Sequence, residues 1–191
     1  MEDLKADMMN KYEMIDLGML YHFLGIRVMQ TESSTFIHQK KYATSLLKKF
    51  LLQDCKPVSI PLVPSDKLRK YDESEAANEA WFRKIVESLM YLTVARPDIM
   101  YTFCLLARFM HYPTNKHYKT AKRVLRYIQN TLDYGLECKK VKEQCCLDVV
   151  TSDWSGSEND MRSTSGYTFT IESGVFSWSS VKQYCVALSA A

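Results

Sequence analysis

The residues whose type and spacing suggest chemistry are cations at helical intervals. Between Lys116 and Leu132, Lys119, Lys122, Arg123 and Arg126 cluster on one side of a helix, while Ala121, Val124, Leu125, Ile128 and Leu132 cluster on the other. One face packs and the opposite face presents four positive charges. That face reads as a solvated basic surface, as a contact for a phosphate backbone, or as a docking surface for a protein partner. A second set, Lys40, Lys41, Lys48 and Lys49, lies off the apolar face of the segment Gln39 to Phe50, whose inward residues are Tyr42, Leu46, Leu47 and Phe50. The 191-residue chain carries a net charge of only +3, yet Lys116 to Glu143 holds eight Lys/Arg against three acidic residues. A local excess of that kind is the footprint of a polyanion partner.

Other chemistries find less support. Six cysteines (Cys55, Cys104, Cys138, Cys145, Cys146 and Cys185) contain no C-x-x-C pair and no ligand-like spacing to the four histidines, which argues against zinc. No metal or other cofactor is expected in this chain. With 47% hydrophobic and 25% charged residues, the composition is that of a globular protein with one substantial core or two small ones. No apolar run approaches the roughly 18 residues of a membrane span, and the N-terminal MEDLKADMMNKYEMID is charged where a signal peptide is apolar. The expected setting is cytoplasmic or nuclear, without secretion or membrane contact.

The elements that must position these cations follow from periodicity. Leu4, Met8, Met9 and Tyr12 mark a short helix face that ends at Asp16-Leu17-Gly18. Met19 to Met29 predicts a strand interrupted by Gly25, with Thr35 to His38 returning beside it across a polar turn. Three prolines in Cys55 to Pro64 imply an extended connector, and the polar stretch Asp66 to Glu79 a flexible linker. Phe82, Ile85, Val86, Leu89, Met90 and Leu92 predict one helix ending before Arg96-Pro97; Met100, Phe103, Cys104, Ala107 and Met110 predict a second that starts at Pro97. Beyond Gly135 the period changes to two. Cys145 to Thr151, Gly166 to Ile171 and Val175 to Trp178 predict three antiparallel strands, the last two joined by a turn at Glu172-Ser173-Gly174. Lys182 to Ala191 begins another helical pattern.

Seven ordered blocks together resemble one family: DLGMLYHFLGIRV, HQKKYATSLLKKF, CKPVSIPL, SLMYLTVARPDIMYTFCLLARFM, AKRVLRYIQNTLDYGL, SDWSGSENDMRSTSGYTF and GVFSWSSVKQYCVALSAA. They are similar, in that order, to the polymerase polyprotein of Ty1/copia-type retrotransposons. The resemblance covers essentially the whole chain. It implies an α+β fold with a primer-grip hairpin and helical thumb/connection, followed by an incomplete RNase H-like three-stranded antiparallel sheet. The implied parts are the end of the reverse-transcriptase palm with the hairpin and first thumb helix (1–65), a linker (66–80), the thumb/connection (81–136) and a truncated RNase H-like domain (137–191). Phe23, Leu24, Gly25 and Ile26 resemble the primer grip, where Gly25 suits close backbone approach to a ligand or simply permits a bend.

The departures are as informative. The family's polymerase aspartates sit in a Y-x-D-D segment, and this sequence contains no Asp-Asp dipeptide. Two-metal phosphoryl transfer needs carboxylates holding ions about 4 Å apart. Where the resemblance places the first RNase H aspartate stands Thr151, a degenerate position whose hydroxyl cannot supply a charged ligand to Mg²⁺. Asp153 and Asp160 remain as turn or surface acids, and no catalytic residue is assigned. Glu87 stands where the family has glycine, either crowding a helix contact or turning to solvent. The expectation is therefore a truncated copia-type fragment, inactive by itself, whose parental activity is RNA-directed DNA synthesis and RNA-strand cleavage with Mg²⁺. The alternatives are a nucleic-acid-binding module, with an RNA–DNA or DNA duplex as partner, and a protein-interaction remnant that self-associates through the unfinished sheet.

Overall fold

A computed structural model describes residues 2–15, 18–140, 146–153, 156–157, 159–171 and 173–186. The α+β class holds: helices pack beside two antiparallel sheets, ordered β1-β2-β3-β4 and β5-β6-β7. The first sheet comprises β1 (His22–Phe23), β2 (Ile26–Gln30), β3 (Ser34–His38) and β4 (Leu136–Lys139). Met19 to Met29 is thus not one interrupted strand. Leu24 and Gly25 take φ of 46° and 75° and reverse the chain between Phe23 and Ile26, which pair across a two-residue loop. Positive φ at both loop residues matches the twist of the flanking strands. β4 was not foreseen; it closes the sheet by pairing Leu136 with Ile37 and Lys139 with Ser34.

The helices are α1 (Glu2–Lys11), α2 (Lys40–Lys49), α3 (Glu79–Leu92), α4 (Met100–Ala107) after a 3₁₀ turn Pro97–Ile99, and α5 (Asn115–Asn130). α1 forms as expected, but Leu4, Met8, Met9 and Tyr12 stay exposed. The core gathers Ala43, Leu46 and Leu47 of α2, Phe82, Ile85, Val86, Leu89 and Leu92 of α3, and Ala121, Val124, Leu125 and Ile128 of α5. Met90 turns outward instead. The inward face of α4 also differs from its expected phase: Ile99, Thr102, Leu106 and Phe109 are buried, while Phe103, Cys104 and Ala107 are only partly so. The 3₁₀ lead-in winds at about three residues per turn, which shifts the phase set at Pro97. Glu87 is exposed, so it crowds no helix contact. No helix of the described residues is long and apolar enough to cross a membrane.

The stretch 66–78, expected to be flexible, is fastened. Leu68 is buried in the core, Ala76 bridges Thr114, and the N–H of Asn115 donates to the Glu75 carbonyl at 2.8 Å.

The second sheet holds β5 (Cys146–Asp153), β6 (Thr164–Ile171) and β7 (Gly174–Lys182), so the three predicted strands form, although Cys145 and Glu172 of those segments lie outside the described residues. Trp178 does not share a face with Phe169 and Ile171. A register shift between Phe169 and Thr170 sets Trp178 opposite Thr168, on the other face. There its indole N–H donates to the Thr93 carbonyl at 3.0 Å, docking the sheet on the end of α3. Lys182 belongs to β7 and residues 183–186 are not helical, so the expected terminal helix does not begin there; residues 187–191 lie outside the described residues, as do Asp16 and Leu17.

Candidate nucleic-acid interface

Strand pairing assembles the site. His22 pairs with Arg27 across β1 and β2, and Arg27 pairs with His38 across β2 and β3. Directly paired residues share a face, so the three basic side chains form one row across the sheet. The chain then enters α2, whose first residues Lys40 and Lys41 face that row. Together with Gly25, Tyr42 and Ser45 they line a cleft of about 500 Å³. No carboxylate of the described residues lines it; Asp133, from beyond α5, pairs with Lys40. Both members of that pair are exposed, so it constrains the lysine weakly.

Like charges directly opposite one another on a sheet repel, so this row resists carrying a charge on every member. Burial, then the neighbouring Arg27 and Lys40, hold His38 below its ordinary value of 6.5. Its Nδ1 accepts the Lys40 backbone N–H at 3.2 Å, placing the ring proton of the neutral form on Nε2.

The hairpin tip is set by the protein itself. Gly25 has positive φ, and a Cβ there would lie 2.8 Å from the Tyr91 hydroxyl oxygen. Within the chain, the side chain that comes this close to Gly25 is Tyr91 of α3. Tyr91 stacks edge-on against Tyr42 at 4.6 Å, and its carbonyl accepts from Gln39 Nε2 at 2.9 Å. Phe23 and Leu24 remain exposed at the tip, and Ile26 is half-buried.

The cations singled out on α5 do not act as one set. Lys119 and Lys122 are exposed, with Lys122 over the Tyr118 ring at 4.6 Å. Arg123 and Arg126 are half-buried, and Arg126 Nε donates to the Lys56 carbonyl at 2.7 Å, tying the proline-rich connector to the helix. On α2, Lys48 and Lys49 are exposed at the end away from the cleft. Thus Lys40 and Lys41 join the basic row, while the others stand elsewhere. Arg27, His22 and His38 were missed by charge counting; the Leu24-Gly25 turn, which fixes the register, was the signal that could have found them.

The carboxylates of the second sheet are engaged within the described residues. Thr151 is exposed on β5, and Asp153 Oδ1 accepts the Thr164 backbone N–H. Asp160 pairs with Lys182 at 2.7 Å; although burial opposes ionisation, that contact brings its carboxyl down to about 2. Among the described residues no group of three His, Cys, Asp or Glu could hold a metal, so the donor set does not fit a two-ion centre. Trp154, next to Asp153, lies outside the described residues.

Comparison with known proteins agrees with the geometry. Residues 1–64 match the family model described as reverse transcriptase (RNA-dependent DNA polymerase). The retrovirus-related Pol polyprotein from transposon RE1 of Arabidopsis thaliana is 35% identical over 94% of this chain, and that from transposon TNT 1-94 of Nicotiana tabacum 32% identical over 97%. The chain spans only 12% and 15% of those polyproteins. The uncharacterized mitochondrial protein AtMg00810 of Arabidopsis thaliana is 36% identical over 93% of the chain, which covers 74% of that relative. No solved structure gives a significant match. The family-model match and the similarity along almost the whole length lead to one assignment: this chain belongs to the copia-type retrotransposon Pol family and corresponds to a segment of such a polyprotein that includes part of its reverse-transcriptase domain.

Proposed function

We propose that the chain holds the sugar–phosphate backbone of an RNA–DNA or DNA duplex in the cleft between the β1–β2 hairpin and α2. In this reading Phe23, Leu24, Gly25 and Ile26 serve as primer grip, α2 to α5 as thumb and connection, and the second sheet as an RNase H-like part without its metal ligands. Catalysis is not assigned to this chain. The carrying observation is the cross-strand row His22–Arg27–His38 facing Lys40 and Lys41, five basic groups converging on one cleft. Lys119 and Lys122 would extend the contact outside it. Binding of a short RNA–DNA hybrid should weaken linearly in log–log plots against salt, and Arg27→Ala with Lys41→Ala should lower the slope by roughly 0.9 per lost phosphate contact. Absence of binding at low salt would end the reading.

Self-association is the second reading, favoured by β5. All but the last of its eight residues are exposed, and it has a paired neighbour on one side only among the described residues. An unpaired edge of that length is a template for another strand. Sedimentation at rising concentration should reveal dimers that Val149→Lys suppresses; a monomer at every concentration removes this reading.

A further inference from the structure

We propose that the cleft takes up a proton when it binds a nucleic-acid backbone, on His38, so that affinity rises as pH falls through the histidine range. The inference rests on the interface proposed above and adds its regulation.

The charged and titratable groups around His38 come from three strands or helices and one loop. Arg27 lies beside it on β2, His22 one strand further on β1, Lys40 and Lys41 at the start of α2, and Asp133 beyond α5; the Phe36 ring lies 5.5 Å away. Three of these neighbours are permanent cations, and Asp133 is drawn to Lys40. Without a ligand, burial and then these cations disfavour another charge, holding His38 below its ordinary value. A phosphodiester in the cleft reverses the balance, because its negative charge cancels the cations that opposed protonation.

The proton has a defined destination. In neutral His38, Nε2 carries hydrogen and Nδ1 accepts from the Lys40 backbone N–H. Protonation at Nδ1, from solvent, ends that acceptance and leaves two ring donors. It also releases the Lys40 amide at the N-terminal end of α2, where backbone N–H groups favour an anion. His22 stands exposed at the far end of the row, lining the same cleft. His111 and His117 do not line it; His117 is fully buried against Phe109.

The test uses the whole chain and a fluorescent RNA–DNA hybrid at constant ionic strength. Affinity should tighten about tenfold for each unit by which the phosphate raises the His38 pKa, between about pH 7.5 and about pH 5.5. Calorimetry in buffers of different ionisation enthalpy should register proton uptake by the wild-type chain, a reading that needs no variant. His38→Asn should lose most of the pH slope; asparagine there retains an acceptor for the Lys40 N–H and cannot be protonated. Salt-dependent binding with a flat pH profile and no proton uptake overturns the linkage and leaves the interface standing. A His38→Asn variant with the wild-type slope overturns the assignment to this histidine. No binding at either pH at low salt overturns the interface and the linkage together.

Discussion

Gly25 carries two separate constraints that substitution can divide. Its φ of 75° costs an L-residue about 1–2 kcal/mol, and a Cβ would crowd the Tyr91 hydroxyl oxygen at 2.8 Å. Gly25→Ala should therefore lower the urea midpoint, and adding Tyr91→Phe should recover the steric share only, since the next ring atom, Cζ, is 3.7 Å away. Full recovery would show that the φ preference contributes nothing. His117 supplies a second residue-level prediction. It is fully buried, stacked on Phe109 at 4.0 Å, and its Nδ1 accepts the Thr114 N–H at 3.0 Å at the start of α5. Burial lowers its pKa from 6.5, outweighing Asp72. Because the folded pKa lies below the unfolded one, this stability is fully present above 6.5 and is lost as pH falls toward the lowered folded value. His117→Gln should flatten that part of the stability profile, measured by denaturant midpoints on both sides of pH 6.5. An unchanged slope would refute the assignment.

Arg96 shows why elements dock as they do. Only 3% exposed, it spans two bonds to Asp98, at 2.9 and 2.7 Å, and two to Thr131, at 2.9 and 2.6 Å. It thereby joins the 3₁₀ turn to the end of α5. Tyr127 donates to the same Asp98 at 2.8 Å, and burial followed by that carboxylate pushes its phenol up to about 12. Arg96→Met should cost about 3 kcal/mol, because it strands a partly buried carboxylate, and Arg96→Lys should restore little of it, lacking the planar fork. Equilibrium unfolding decides; a loss below 1 kcal/mol would mean Asp98 is satisfied by solvent. The sequence announced this arginine only as the end of a helix, because a polar hub has no period. Helices α2, α3 and α5 were legible, since each packs one stripe on one core. The phase of α4 was not, as a 3₁₀ lead-in shifts it and β7 packs on another side of it. Trp178 was misplaced for a comparable reason: one extra residue in β7 flips the face of all that follows. The basic cleft was half legible. Lys40 and Lys41 were visible as charges, but Arg27, His22 and His38 converge only through strand register.

At the scale of the whole chain, the core is unevenly shared. Every buried apolar side chain among the described residues lies between Val28 and Ile128, so the second sheet has no such core of its own. It is held instead by attachments to the rest of the molecule. The Trp178 indole reaches the Thr93 carbonyl, Arg108 donates to Thr164 Oγ1 at 2.9 Å, the Lys70 N–H reaches Asn159 Oδ1 at 2.7 Å, and Gly174 abuts Cys138 on β4. A unit fastened by a few polar contacts opens at lower free energy than one built on buried side chains. The sheet β5-β6-β7 should therefore unfold before the helical core. Hydrogen exchange should show its amides opening at lower urea concentrations than those of α3 and α5. Trp178→Phe removes the indole donor while retaining an aromatic ring, so it should accelerate exchange in the second sheet and leave α3 and α5 nearly unchanged. Coincident unfolding of both parts, in the wild type and in Trp178→Phe, would mean that the contacts through β4 and α4 couple the whole chain into one cooperative unit.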